Sequence, residues 1–132
     1  MAPTSLGERW AAAWSAHDPE ALGELFAEDC DYEDVAFAVV NQGREGVLAW
    51  ARSFLASFPD LVVEPRSSFE GGGHAVLEWE MSGTQRGEFD GLEPGDQPFR
   101  VRGVTVFSFE DERISRCSDY WNLGDVRRQL GA

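Results

Sequence analysis

The chain has 132 residues, with 24 acidic residues against 11 basic ones and a formal net charge of −13. A chain so acidic repels phosphate backbones and anionic lipid surfaces, which excludes nucleic acid and membrane surfaces as partners. Its 42% hydrophobic and 12% aromatic content excludes a disordered chain.

At this length the expectation is a single domain over residues 1–132. No apolar run approaches the ~20 residues needed to cross a bilayer. The segment MAPTSLGERW has neither the basic nor the apolar region of a signal peptide, so a cytoplasmic protein is expected. All eleven basic residues are arginine, so no lysine is present for Schiff-base chemistry. Cys30 and Cys117 form no close-spaced motif and read as reduced thiols. His17 and His74 lie far apart without ligand spacing, so no metal site is expected.

In chain order, Ser5 and Glu8 have capping-box spacing, and Trp10, Ala13, Trp14 and His17 recur at helical intervals. They predict a helix over 6–16. Asp18-Pro19-Glu20 starts a second, short helix carrying Leu22, Leu25 and Phe26. Residues 30–35 predict a strand, and Asn41-Gln42-Gly43 a loop. Val47, Trp50, Ala51, Phe54, Leu55 and Phe58 share a face of a third helix over 44–58, stopped by Pro59. Four strands follow, over 61–69, 75–85, 99–109 and 114–121, with a polar connection at 87–98 and a helical turn at 123–130. Helices first and antiparallel strands after predict an α+β domain with helices on one face of a curved sheet.

Asp119 sits among apolar and aromatic residues of the last strand. A carboxylate facing an apolar cavity is desolvated, its pKa rises, and it can take a proton from carbon and return it. The alternative is a surface carboxylate paired with Arg116 or Arg102. Tyr32 and Asp34 alternate on the first strand and share a face. They are placed to hydrogen-bond a substrate, or else Tyr32 is core and Asp34 a solvated loop carboxylate. Glu78 and Glu80 alternate with Leu77, Trp79 and Met81, which reads as the wet face of a half-exposed strand. Arg100 and Arg102 are available to pair with them across strands. Five Trp and nine Phe exceed the needs of a small core, so some line a pocket.

The stretches AWSAHDPEALGELFAEDCDYED, GREGV, SFPDLVVE, GTQRGEF, VRGVTVFSFEDERI and SDYWNLGDVRRQLG, in this order, resemble the SnoaL-like branch of the nuclear transport factor 2-like superfamily. The resemblance implies a cone-shaped fold, with three helices closing a strongly curved, mostly antiparallel sheet around a deep apolar pocket. It implies a homodimer and a cofactor-independent, metal-free enzyme acting on a small apolar carbonyl metabolite by aldol closure or isomerisation. The family's last-strand Asp falls on Asp119, the general acid/base. Tyr32 matches a pocket tyrosine of the epoxide-hydrolase relatives, and Asp34 stands where they carry Asn. Tyr32, Asp34 and Gln85 would orient the substrate, and Trp14, Trp50, Phe54, Trp79 and Trp121 would form apolar walls. The hydrolases' Arg–Asp pair is replaced by Glu80 and Ser82. The polar positions of the cyclases' penultimate strand fall on Gly103 and Thr105, of which Thr105 can still contact substrate. Gln85 stands where many members have His. A binding or dimerisation module without chemistry is the alternative.

Overall fold

Ser5 opens the first helix by reciprocal capping: its hydroxyl accepts from the Glu8 amide at 3.0 Å, and the Glu8 carboxylate accepts from the Ser5 amide at 3.4 Å. The computed structural model describes residues 5–132. Residues 1–4, which begin the segment read above as lacking a signal peptide, lie outside the described residues. Helix α1 (Leu6–Ser15) buries Leu6, Trp10, Ala13 and Trp14 along one face. His17, at φ 57°, reverses the chain, and its Nε2 lies 2.8 Å from the Leu61 carbonyl. Asp18 then caps α2 (Pro19–Glu24), accepting from the Ala21 amide at 3.1 Å.

The predicted second helix is too long by Phe26. That residue begins β1 (Phe26–Asp34), because it is already paired with the last strand at Ile114 and stacks on Tyr32 at 5.5 Å. The predicted loop at 41–43 is also corrected. Residues 39–42 form β2 (Val39–Gln42), an antiparallel edge strand on β1. It is short and largely exposed, so it leaves no inward–outward alternation to read. Gly43 (φ 73°) turns the chain into α3 (Gly43–Ser57), whose inward face carries Val47, Trp50, Ala51 and Phe54.

The remaining strands are β3 (Val62–Gly71), β4 (His74–Thr84), β5 (Pro98–Glu110) and β6 (Arg113–Trp121), followed by α4 (Leu123–Gln129). One six-stranded sheet results, in the order β2-β1-β6-β5-β4-β3. Every neighbouring pair is antiparallel except β1 with β6. The expected α+β fold is therefore found: a curved, unclosed sheet with helices on one face. That parallel pair matters for the site, because it lays the first strand beside the last.

Alternation sorts the faces. On β4, Ala75, Leu77, Trp79 and Met81 point inward, and on β5 Phe99, Val101, Thr105 and Phe107 do. Trp10 of α1 meets Phe107 edge to face at 5.6 Å, fastening the helix to the sheet. Glu80 faces outward, as expected, and pairs with Arg66 and with Arg100 (3.5 Å). Cys30 and Cys117 are buried free thiols.

Candidate active site

Strand pairing brings the two candidate acids side by side. Asp34 on β1 and Asp119 on β6 are register partners across the parallel pair, and the Val35 amide donates to the Asp119 carbonyl at 2.9 Å. Both carboxyls are buried, with Asp34 2% and Asp119 7% exposed. This overturns the reading of Asp34 as a solvated loop carboxylate. It also overturns the pairing of Asp119 with a surface arginine, since Arg116 pairs with Glu33 at 3.2 Å.

Asp119 accepts two short hydrogen bonds. Tyr32, wholly buried, donates its hydroxyl to Oδ2 at 2.7 Å, and Thr105 donates to Oδ1 at 2.7 Å. The Thr105 oxygen accepts in turn from the Trp79 indole at 2.8 Å. An indole N–H can only donate, so Trp79 leaves Thr105 with its proton directed at Asp119. Oδ1 is thereby held as an acceptor. When Asp119 takes up a proton, the free position is Oδ2, facing Tyr32.

Burial pushes the Asp119 carboxyl up from 3.8 to about 7, against the lowering pull of the Tyr32 and Thr105 hydrogen bonds and with a further push from Asp34. Burial also raises Asp34, opposed by hydrogen bonds from the Trp121 indole (3.0 Å) and the Phe37 amide (3.1 Å). The Tyr32 phenol is raised well above 10, first by burial and then by the Asp119 charge. A carboxyl near 7 is present in both protonation states at neutral pH, as an acid and base in one reaction requires.

All five tryptophans of the chain border the same cavity, together with Tyr32, Phe54 and the two acids. Trp14, Trp50, Phe54, Trp79 and Trp121 were expected there; Trp10 was not, though it stands one helical turn before Trp14 on the same face of α1. Neighbouring walls meet near right angles: Trp10 with Trp14 at 73°, Trp14 with Phe54 at 77°, and Phe54 with Trp121 at 84°. The cavity is narrower than a deep apolar pocket, with a free volume of about 20 Å³, room for about one water molecule. Trp50 and Phe54 also wall an outer cleft of about 200 Å³ between α3, Phe37 and Phe89.

Two predicted contacts are elsewhere. Gln85 is wholly buried but does not border the cavity. Its amide donates to the carbonyls of Gly87 (3.0 Å) and Leu92 (2.8 Å), tying down the connection after β4. Thr105 acts on Asp119 rather than lining the cavity itself. Among the described residues no cluster of His, Cys, Asp and Glu is arranged to hold a metal ion. No helix among them is long and apolar enough to cross a membrane.

Solved structures with the same architecture include a Catenulispora acidiphila protein of ketosteroid isomerase-like fold, crystallised with trimethylamine. It is 30% identical, with a TM-score of 0.87, over 98% of this chain and 95% of that one. TsrD from Streptomyces laurentii is 29% identical with a TM-score of 0.83, over 96% and 92% of the two chains. IdmH from Streptomyces antibioticus, a proposed polyketide cyclase, shares the fold at 23% identity and a TM-score of 0.82, over 96% of each chain. Among curated proteins no sequence matches. Residues 4–130 match the family described as SnoaL-like polyketide cyclase. With the match spanning nearly the whole sequence and the fold agreeing, the chain belongs to the SnoaL-like polyketide cyclase family.

Proposed function

We propose that this protein is a cyclase-type enzyme that uses Asp119 as general acid and base on a small carbonyl-bearing substrate, without metal or cofactor. The observation that supports it is one buried carboxyl, poised at about 7, gripped by Tyr32 and Thr105 inside an aromatic cavity. In the ionised state, Oδ2 takes a proton from the carbon next to a substrate carbonyl. The resulting enolate carbon attacks a second carbonyl of the same molecule. The alkoxide so formed takes the proton back from Asp119, and the ring is closed with the carboxylate restored. Returning the proton to a different carbon instead gives an isomerisation. The Tyr32 hydroxyl, released from Oδ2 as that oxygen becomes protonated, is free to donate to the enolate oxygen.

A positioned acid/base contributes about 10²- to 10⁴-fold. Asp119→Asn should therefore lose about that much of the deuterium exchange the protein catalyses at the acidic carbon of a β-diketone probe. Exchange at the wild-type rate in a folded Asn variant overturns the proposal. A second reading is a module that holds a small ligand without turning it over. The Catenulispora relative crystallised with trimethylamine favours it, since that molecule offers no carbonyl. Under that reading the bound ligand is recovered unchanged and the wild type catalyses no exchange.

A further inference from the structure

The cavity holds two buried acids and no base. Among the described residues, Asp34 and Asp119 are the only charged groups that border it: none of the others there is Arg or His, and the chain has no Lys. Among the described residues no Arg or His lines the outer cleft either, although Asp90 on its rim is paired with Arg127 at 2.7 Å. Buried carboxylates are ordinarily paired with a cation, because the desolvation of an unpaired charge is costly. Here the side-chain and amide donors to the two carboxylates are neutral: Tyr32, Thr105, the Cys117 thiol, the Trp121 indole and the Phe37 amide. Among the described residues no cation borders the cavity to offset either carboxyl when it is ionised. The walls around the acids are the rings of all five tryptophans, and Trp is the best partner for an organic cation through the negative face of its π-system.

We propose that the missing charge is supplied by the ligand: the cavity binds an alkylammonium group, held by aromatic rings and by the paired carboxylates of Asp34 and Asp119. This rests on the cavity being the ligand site and not on turnover there. Burial raises both acids, and Asp119, pushed up to about 7, is the one whose charge follows pH near neutrality. The half-buried Trp50, Phe54 and Trp121 must swing outward to admit a group larger than water, and the outer cleft behind Trp50 and Phe54 is where the rest of the ligand lies. An anionic ligand would meet the like charge of the two acids.

The titratable groups facing the two acids are Tyr32 from β1 and Cys117 from β6, with Cys30 beyond it, while Glu33 lies on the opposite face of β1, paired with Arg116. Among the residues bordering the cavity, α1, α3 and β4 contribute aromatic and aliphatic side chains but no ionisable group. A cation therefore competes with the Asp119 proton, and its affinity rises with pH through about 7.

The test uses the full chain and a matched pair of probes, choline and its uncharged carbon isostere 3,3-dimethylbutan-1-ol, titrated by calorimetry and tryptophan fluorescence. The expected result is that choline binds at least about tenfold more tightly, that its affinity climbs with pH, and that the isostere shows no such climb. Asp34→Asn and Asp119→Asn should each remove most of the preference, with circular dichroism reporting that the variants are folded. Equal binding of the two probes by the wild type overturns the proposal, as does a failure of choline to bind, or a preference that survives in both variants. The β-diketone exchange assay reads the acid–base reading separately. Loss of exchange in Asp119→Asn without a choline preference removes the cation and keeps the base, and the converse removes the base and keeps the cation.

Discussion

The Trp79 ring occupies the space that any side chain on Gly103 would need. A Cβ at position 103 would lie 2.4 Å from the indole carbon Cη2 and 2.7 Å from Cζ2, far inside contact distance. The two residues are register partners on β4 and β5, and the absent side chain lets the indole lie across the neighbouring strand and reach Thr105. Gly103→Ala should displace a rigid ring, costing about 1–3 kcal/mol by overpacking. It should also break the Trp79–Thr105 bond and shift the Asp119 titration, although Asp119 itself is untouched. Chemical denaturation and carboxyl NMR read the two effects. A variant with wild-type stability and titration removes the argument.

Asp119 should weaken the fold as pH rises. The folded carboxyl keeps its proton up to about pH 7, whereas the unfolded one releases it near 3.8. Between these values the folded state binds more protons, so stability falls with increasing pH. Above pH 7 the penalty reaches on the order of 4 kcal/mol. Asn mimics the protonated acid, with its oxygen accepting from Thr105 and its amide donating to Tyr32. Asp119→Asn should therefore match the wild type near about pH 4 and exceed it in stability near about pH 8. Thermal melts across that range decide, and parallel curves would contradict the raised pKa.

Tyr32→Phe and Thr105→Val each remove a donor that stabilises the Asp119 anion, so both should move its titration above about 7. The Tyr32 change should move it further, because its hydrogen bond pulls harder. Thr105→Val also strands the Trp79 indole without an acceptor, a cost of about 1–3 kcal/mol. Carbon-detected NMR of the Asp119 carboxyl gives the order directly. A downward move in either variant would contradict the network.

Trp50 should act as a partition between the inner cavity and the outer cleft, since it borders both. Trp50→Ala should let a neutral quencher such as acrylamide reach the remaining tryptophans. The ring is only half-buried, so stability should fall by less than the about 3–5 kcal/mol lost on truncating a fully buried aromatic. Unchanged quenching would mean that access lies elsewhere.

Gln85→Leu should loosen the connection after β4 without touching the acid site. The Gly87 and Leu92 carbonyls lose their amide donor, so hydrogen exchange should rise across residues 85–92. The Asp119 titration should stay where it is. A shifted Asp119 with a rigid connection would return Gln85 to the site.

Much of the fold was legible because local signals agreed with the tertiary outcome. The Ser5–Glu8 box, Asp18-Pro19 and the three-and-four spacing of α3 each act within a few residues of sequence. Phe26 and β2 were not legible. Phe26 is claimed by pairing with Ile114, a residue 88 positions away, and β2 is an exposed edge with no periodic face. In the candidate site, Asp119, Tyr32 and four of the five tryptophans were readable as types in a pattern, and Trp10 was not. Gln85 looked the same on paper and proved to be a tether.

Local sequence sets the helical starts, the alternating strands, the acid-rich and lysine-free composition, and the presence of one carboxyl in an aromatic strand. The pairing of distant strands, by contrast, sets Asp34 beside Asp119, lets Trp79 fix the direction of the Thr105 hydroxyl, and leaves no basic residue among the described ones bordering the cavity. The reason is range. Caps and periodicity are contacts between near neighbours in the chain, whereas the site is made by the parallel pairing of β1 with β6, which joins residues 85 positions apart. A slip of one residue in that pairing would turn one acid outward.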